Sequence, residues 1–223
     1  MSQRPISLSP DLSRLRSDGY DIRIEDGFLL VRDVPYLDAP GTVVRGTLAK
    51  ALTLSGDIAA YSGDHTIFLA GPAPHDQNGR RLDRVINTSG PQRILPNLTI
   101  DHYLSHKPAA GYTDYYDLVA TYASVLSKHA QAVDPTVTAQ TFPTVPVEED
   151  NDSPFLYMDT ASARAGITSI NAKVRRHTIA VVGLGGTGAY ILDLIAKSPV
   201  AQIDLYDGDV VMQHNAFRYP GSI

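Results

Sequence analysis

Residues 179–188 read IAVVGLGGTG, residues 203–209 read IDLYDGD, and Asn215 and Arg218 follow. An apolar strand that ends in glycines, enters a helix and is followed by a second strand ending in acid predicts the opening βαβ unit of a nucleotide-binding α/β fold. Each glycine has a physical purpose. Gly183 permits the tight exit from the strand, Gly185 and Gly186 let backbone amides approach phosphate, and Gly188 lets the helix pack closely on the sheet. The helix is expected from about Thr187 to Lys197 with Pro199 as its stop, and it aims its unpaired amides at bound phosphates. Its Ile191, Leu194 and Ile195 are expected to pack inward.

The second strand, residues 201–206, delivers Asp207 to its carboxyl end, where an acid can accept hydrogen bonds from both ribose hydroxyls. Asp209 lies two residues on. By itself Asp-Gly-Asp is a turn former, but the glycines upstream favour a ligand. A nicotinamide oxidoreductase would use the same glycines and Asp207. Asn215 and Arg218 separate the two cases, because they add phosphate-binding groups just past the strand and so favour ATP. A non-catalytic scaffold built on a degenerate nucleotide fold is the third possibility.

With Gly183-Leu184-Gly185-Gly186-Thr187-Gly188, Asp207-Gly208-Asp209 and Asn215-Ala216-Phe217-Arg218 in register, the chain resembles the ThiF, MoeB and ubiquitin-activating enzyme superfamily. His214 stands where that family commonly has Ser or Thr, and Tyr219 where it commonly has Gln. The resemblance implies adenylation of the C-terminal carboxylate of a ubiquitin-like or sulfur-carrier protein, with ATP and Mg²⁺ as cofactors and a homodimer as the assembly. It implies that Asp207 binds the ribose and that Asn215 and Arg218 hold the triphosphate. Arg164, on a helix ahead of the first strand, would reach the γ-phosphate in a partner subunit. The resemblance covers about residues 159–223, and the sequence stops before the family's next Lys, its Asp near Mg²⁺ and any nucleophilic Cys. An incomplete adenylation site is therefore expected, on a sheet cut after two strands.

Upstream, Ser9 and Pro10 predict a short helix that buries Leu12 and Leu15 and ends at Gly19. Tyr20, Ile22 and Ile24 alternate with polar residues, Asp26-Gly27 signals a hairpin, and 28–31 form the returning strand. Further strands are expected over 43–54 and 66–70. Residues 71–113, rich in Pro, Gly, Asn, Asp and Arg, read as extended segments and loops. Between Asp114 and about Gln131, Tyr115, Leu118, Val119, Tyr122 and Leu126 recur at helical spacing and predict an amphipathic core helix. Pro143 and Pro146, then an acidic run to Pro154, mark a linker.

The fold expectation is thus α/β, an incomplete Rossmann-like ThiF adenylation fold after an α+β N-terminal domain. Residues 1–145 form that domain, 146–157 the linker and 158–223 the truncated nucleotide-binding region. The N-terminal part also resembles a domain of unknown function found ahead of ThiF-like modules in bacterial proteins. His65, His75, His102 and His106, three of them beside Asp64, Asp76 or Asp101, suggest a metal site only weakly, since scattered loop histidines are usually surface residues.

The formal charge of −5 argues against a nucleic-acid surface. Residues 1–150 carry 13 Lys and Arg against 18 Asp and Glu, so the acid excess lies in front. No stretch approaches the roughly 20 apolar residues of a membrane span, and the start lacks a signal peptide's apolar core. A cytoplasmic protein without membrane partners is expected. The absence of Cys excludes disulfides and thioester chemistry within these residues.

Overall fold

The structure, a computed structural model, describes residues 4–144, 155 and 159–221. Its elements run α1 (Arg4–Leu8), α2 (Pro10–Ser17), β1 (Asp21–Glu25), β2 (Phe28–Leu37), β3 (Val43–Ala51), β4 (Leu54–Ser55), β5 (Ile58–Ala59), β6 (Thr66–Ala70), β7 (Ile86–Leu95), β8 (Leu98–Ser105) and α3 (Tyr115–Val133). After these come α4 (Ala161–Arg164), α5 (Thr168–Val174), β9 (Thr178–Val182), α6 (Gly186–Ala196), β10 (Gln202–Tyr206) and a 3-10 helix (Gln213–Arg218). Two compact units result, the first holding α1 to α4 and the second α5 to the 3-10 helix. Residues 159–167 thus group with the first unit. The expected linker over 146–157 lies, apart from Phe155, outside the described residues.

In the first unit a hairpin sets the register. Asp26 and Gly27 have φ of 45° and 79°, the two positive values that a type I′ turn requires. Gly27 is required for a second reason, since a Cβ there would lie 2.7 Å from the Asp159 carbonyl oxygen. β1 and β2 therefore pair from Glu25 opposite Phe28 to Asp21 opposite Arg32. The full sheet is antiparallel in the order β1-β2-β3-β6-β8-β7.

Successive residues of β2 serve opposite faces. Leu29 and Val31 join Leu12 and Leu15 of α2 and Leu118, Tyr122 and Leu126 of α3 in one core, whereas Phe28 and Leu30 join Ala49, Ile100 and Ala163 in another. Both sets are apolar because both faces of the sheet are covered. Asp114 caps α3 by accepting the Asp117 N–H at 2.8 Å. The buried Tyr122 hydroxyl donates to the His65 carbonyl and accepts the His106 N–H, both at 2.7 Å. A large ring is thus buried without stranding its polar end.

Residues 71–113 depart from the expectation of extended segments and loops, because they contain the paired strands β7 and β8. β7 lies at the sheet edge, and Gly90 and Pro91 fall within a register irregularity between Ser89 and Gln92. An edge bulge is where Pro and Gly are tolerated in a strand.

The second unit is a parallel βαβ arrangement. β9 and β10 pair from Thr178 opposite Gln202 to Val182 opposite Tyr206, and α6 supplies the crossover that parallel neighbours need. Ile191 and Leu194, expected to pack inward, are 45% and 69% exposed, and no residue of α6 is buried. A two-stranded ribbon is too narrow to cover the apolar face of a helix. No helix among the described residues is long and apolar enough to cross a membrane.

Candidate functional site

Beyond β9 the chain turns at Gly183, whose φ is 86° and whose N–H donates to the Tyr206 carbonyl at 2.8 Å. The parallel ladder thereby continues one residue past the end of β9. Gly185 is the N-cap of α6, and no side chain closes that helix start. The Ala189 N–H bonds back to the Gly185 carbonyl at 3.1 Å, so the amides of Gly186, Thr187 and Gly188 precede the first helical hydrogen bond and form the positive end of the helix.

The glycines divide into two kinds. A Cβ at Gly188 would lie 1.8 Å from the Gly183 carbonyl oxygen, so the helix can approach the strand exit only with glycine there. At Gly185 and Gly186 a Cβ would meet nothing within 4 Å. Packing among the described residues does not demand glycine at those two positions, and the space before the helix is open to a ligand.

Asp207 joins the two strand exits. Its carboxylate accepts the Leu184 N–H from the glycine turn and the Asp209 N–H at 2.8 Å. These backbone donors, Asp209 first, hold the Asp207 carboxyl below the ordinary carboxylate range, so it is ionised at neutral pH. Each oxygen uses one acceptor position and retains another, which leaves room for ribose hydroxyls. Sequence reasoning identified the acid but not its amide partner in the turn, because the two are 23 residues apart.

Asn215 and Arg218 share the 3-10 helix. The Asn215 side-chain oxygen accepts the Met212 N–H at 2.8 Å, and the Asn215 N–H donates to the Met212 carbonyl at 2.9 Å. The oxygen therefore caps this helix, and the amide nitrogen is the group available to an anion. Arg218 is exposed and makes no ion pair or side-chain hydrogen bond among the described residues. Arg164 is an exposed residue of α4, next to the buried Ala163, and so belongs to the first unit while the glycine turn belongs to the second.

The histidines of the first unit have separate partners. His65 meets Ser105, His75 the Ala73 carbonyl, His102 Ser89 and His106 Tyr112. Among the described residues no three His, Cys, Asp or Glu side chains gather as a metal site.

The first unit decides the family. The model described as Domain of unknown function (DUF6791) matches residues 10–160, more than half of the chain. The chain belongs to the DUF6791 family. The DUF6791 match takes in α2, the six-stranded sheet and α3, and it ends one residue before α4, so the glycine turn and Asp207 lie beyond it. No curated protein and no solved structure matches the chain.

Proposed function

We propose that this DUF6791 chain carries the nucleotide-gripping first part of a Rossmann-like ThiF adenylation site. In this reading ATP activates the C-terminal carboxylate of a ubiquitin-like or sulfur-carrier protein, within a homodimer. The observation that carries it is the Asp207 carboxylate bonded to the amide of Leu184. That bond draws the ribose acceptor and the phosphate-facing amides of α6 onto one edge of the parallel pair.

The chemistry requires cations at that edge. A carboxylate that attacks the α-phosphate approaches another anion and expels pyrophosphate, so the site must neutralise charge and hold the reactants in line. Arg218 offers a guanidinium that is unpaired among the described residues, and Asn215 offers an amide donor. Gly185 and Gly186 leave the space a triphosphate would fill. Mg²⁺ typically takes only one or two carboxylates, with phosphate oxygens and water completing its shell, and the Asp209 side chain is the carboxylate nearest in sequence to the ribose acid. When bound, ATP with Mg²⁺ supplies the activated phosphorus. A nicotinamide oxidoreductase has no use for Arg218 or Asn215, and this disfavours it.

The test is pyrophosphate exchange into ATP by the full-length protein with a candidate ubiquitin-like partner. Exchange that depends on the partner's free C-terminal carboxylate supports the reading. Failure with every such partner encoded nearby would sink it.

A further inference from the structure

The first unit holds a set of polar groups that adenylation leaves unused. Ser89 on β7 lies opposite His102 on β8, and its Oγ is 2.8 Å from His102 Nδ1. Arg81 Nη2 donates to the same Oγ at 2.6 Å. His102 is buried. Arg81 fills an acceptor position on the Ser89 oxygen, so the hydroxyl proton can point at Nδ1, which accepts it when the ring is protonated on Nε2. Burial holds the ring below the ordinary histidine range against the opposing charge of Asp101, with Arg81 lowering it further. The ring is therefore a neutral base at neutral pH.

Access and charge give this cluster a setting. Ser89 is exposed and lines, with Gly90, Asp101 and His102, an open cavity of about 490 Å³. Arg81, paired with Asp83 at 3.5 Å, extends into a second cavity of about 650 Å³ that Asp83 and Asp76 line together with Arg80, Arg84 and Lys128. The side chains of Arg80, Arg84 and Lys128 make no ion pair or hydrogen bond among the described residues. Four cations against two carboxylates leave this wall net positive, which suits an anion.

We propose that Ser89 is the nucleophile and His102 the general base of a second site, which hydrolyses carboxylic esters bearing an anionic group. The Ser89 oxygen bonds to the ester carbon as His102 Nδ1 takes the hydroxyl proton, and the Arg81 guanidinium holds the oxyanion. The tetrahedral intermediate collapses, the bond to the leaving oxygen breaks, and His102 returns the proton to it. Water then attacks the acyl-Ser89 ester, again giving its proton to His102, and the carboxylic acid leaves as Ser89 recovers its hydrogen. The net-positive wall holds the anionic end of the substrate. Ser105 and His65 make the contrasting pair, at 3.2 Å: among the described residues no guanidinium bonds that serine, and neither residue lines either cavity.

The test uses the whole chain, a fluorophosphonate probe, and p-nitrophenyl acetate beside the anionic p-nitrophenyl hemisuccinate. One adduct is expected, on the peptide containing Ser89. Labelling and hydrolysis should fall at least about a hundredfold in Ser89→Ala and about tenfold or more in His102→Gln. Arg84→Ala should raise KM for the hemisuccinate more than for the acetate, and Ser105→Ala should change neither labelling nor hydrolysis. Ser89 is an exposed edge-strand residue, so its alanine variant keeps the sheet. If His102→Gln unfolds, the position of the adduct in the unaltered protein still decides. A folded protein that takes no adduct at Ser89, or a Ser89→Ala variant that hydrolyses both esters at the unaltered rate, overturns the proposal.

Discussion

The carboxylate of Asp207, at the end of β10, accepts a hydrogen bond from the Leu184 N–H inside the glycine turn that follows β9. One side chain thus shapes the turn and, under the proposed function, would face the ribose. Asp207→Ala is expected to weaken ATP binding roughly ten- to a hundredfold, the scale of a lost charged hydrogen bond. Asp207→Asn, which keeps one acceptor oxygen, should lose less. Titration calorimetry across pH adds a check. The folded-state carboxyl is depressed, so its contribution is complete above the ordinary value of about 4 and fades only as pH falls below it. Affinity attributable to Asp207 should be flat from pH 8 to 5.

The two kinds of glycine should respond differently to alanine. Gly188→Ala forces a Cβ against the Gly183 carbonyl oxygen and should disrupt the second unit, visible as loss of its protected amides in hydrogen exchange. Gly186→Ala meets open space and should leave that protection intact while weakening ATP binding. Equal behaviour of the two variants would contradict this division.

Tyr122→Phe removes a hydroxyl that both donates to His65 and accepts from His106. The partly buried amide and carbonyl it leaves behind should cost about 0.5–1.5 kcal/mol, measurable as a lower midpoint in urea with an unchanged slope.

Lys50 reaches Asp64 Oδ2 at 2.6 Å and also the carbonyls of Asp64 and Thr66. Its own side chain is 4% exposed and that of Asp64 51%. Burial depresses the ammonium against the opposing pull of Asp64. On Asp64 burial raises the carboxyl, but hydrogen bonds from Lys50 and Thr66 outweigh it and leave the group below its ordinary range. The favourable part of the pair therefore appears on the carboxylate. Lys50→Met should destabilise the first unit by about 1–3 kcal/mol, less than a fully buried pair would lose, because Asp64 can be rehydrated. The difference from the unaltered protein should be full above about pH 4, the ordinary carboxylate value, and shrink below it as Asp64 is protonated. Denaturation at pH 7 and pH 3 reads both effects.

Legibility from sequence followed local chemistry. Asp26-Gly27 announced its hairpin because two positive φ values admit few other residues, and the stripe from Tyr115 to Leu126 announced α3 because its period is helical. β7 was hidden because Gly90 and Pro91 punctuate it and much of it is exposed, and only its place at the sheet edge makes that composition acceptable. On α6 the apolar spacing was visible, but a cover for Ile191 and Leu194 depends on neighbours that two strands do not supply. At the glycine turn, Gly188 could be read from the motif. The use of the Asn215 oxygen as a cap for Met212 could not, because it depends on the path of the chain after β10. Ser89 and His102 meet through strand register, which no motif spacing encodes.

Arg218 makes no ion pair or side-chain hydrogen bond among the described residues, and ATP is the nucleotide that would use it. Calorimetric titration of the whole chain with Mg²⁺-ATP and, separately, with NAD is the most direct measurement. ATP should bind, NAD should not compete with it, and Arg218→Ala should lose at least about tenfold in ATP affinity, as expected for a charge-assisted phosphate contact. Tighter binding of NAD, no binding of ATP, or an Arg218→Ala variant that binds ATP unchanged would contradict an adenylation site here.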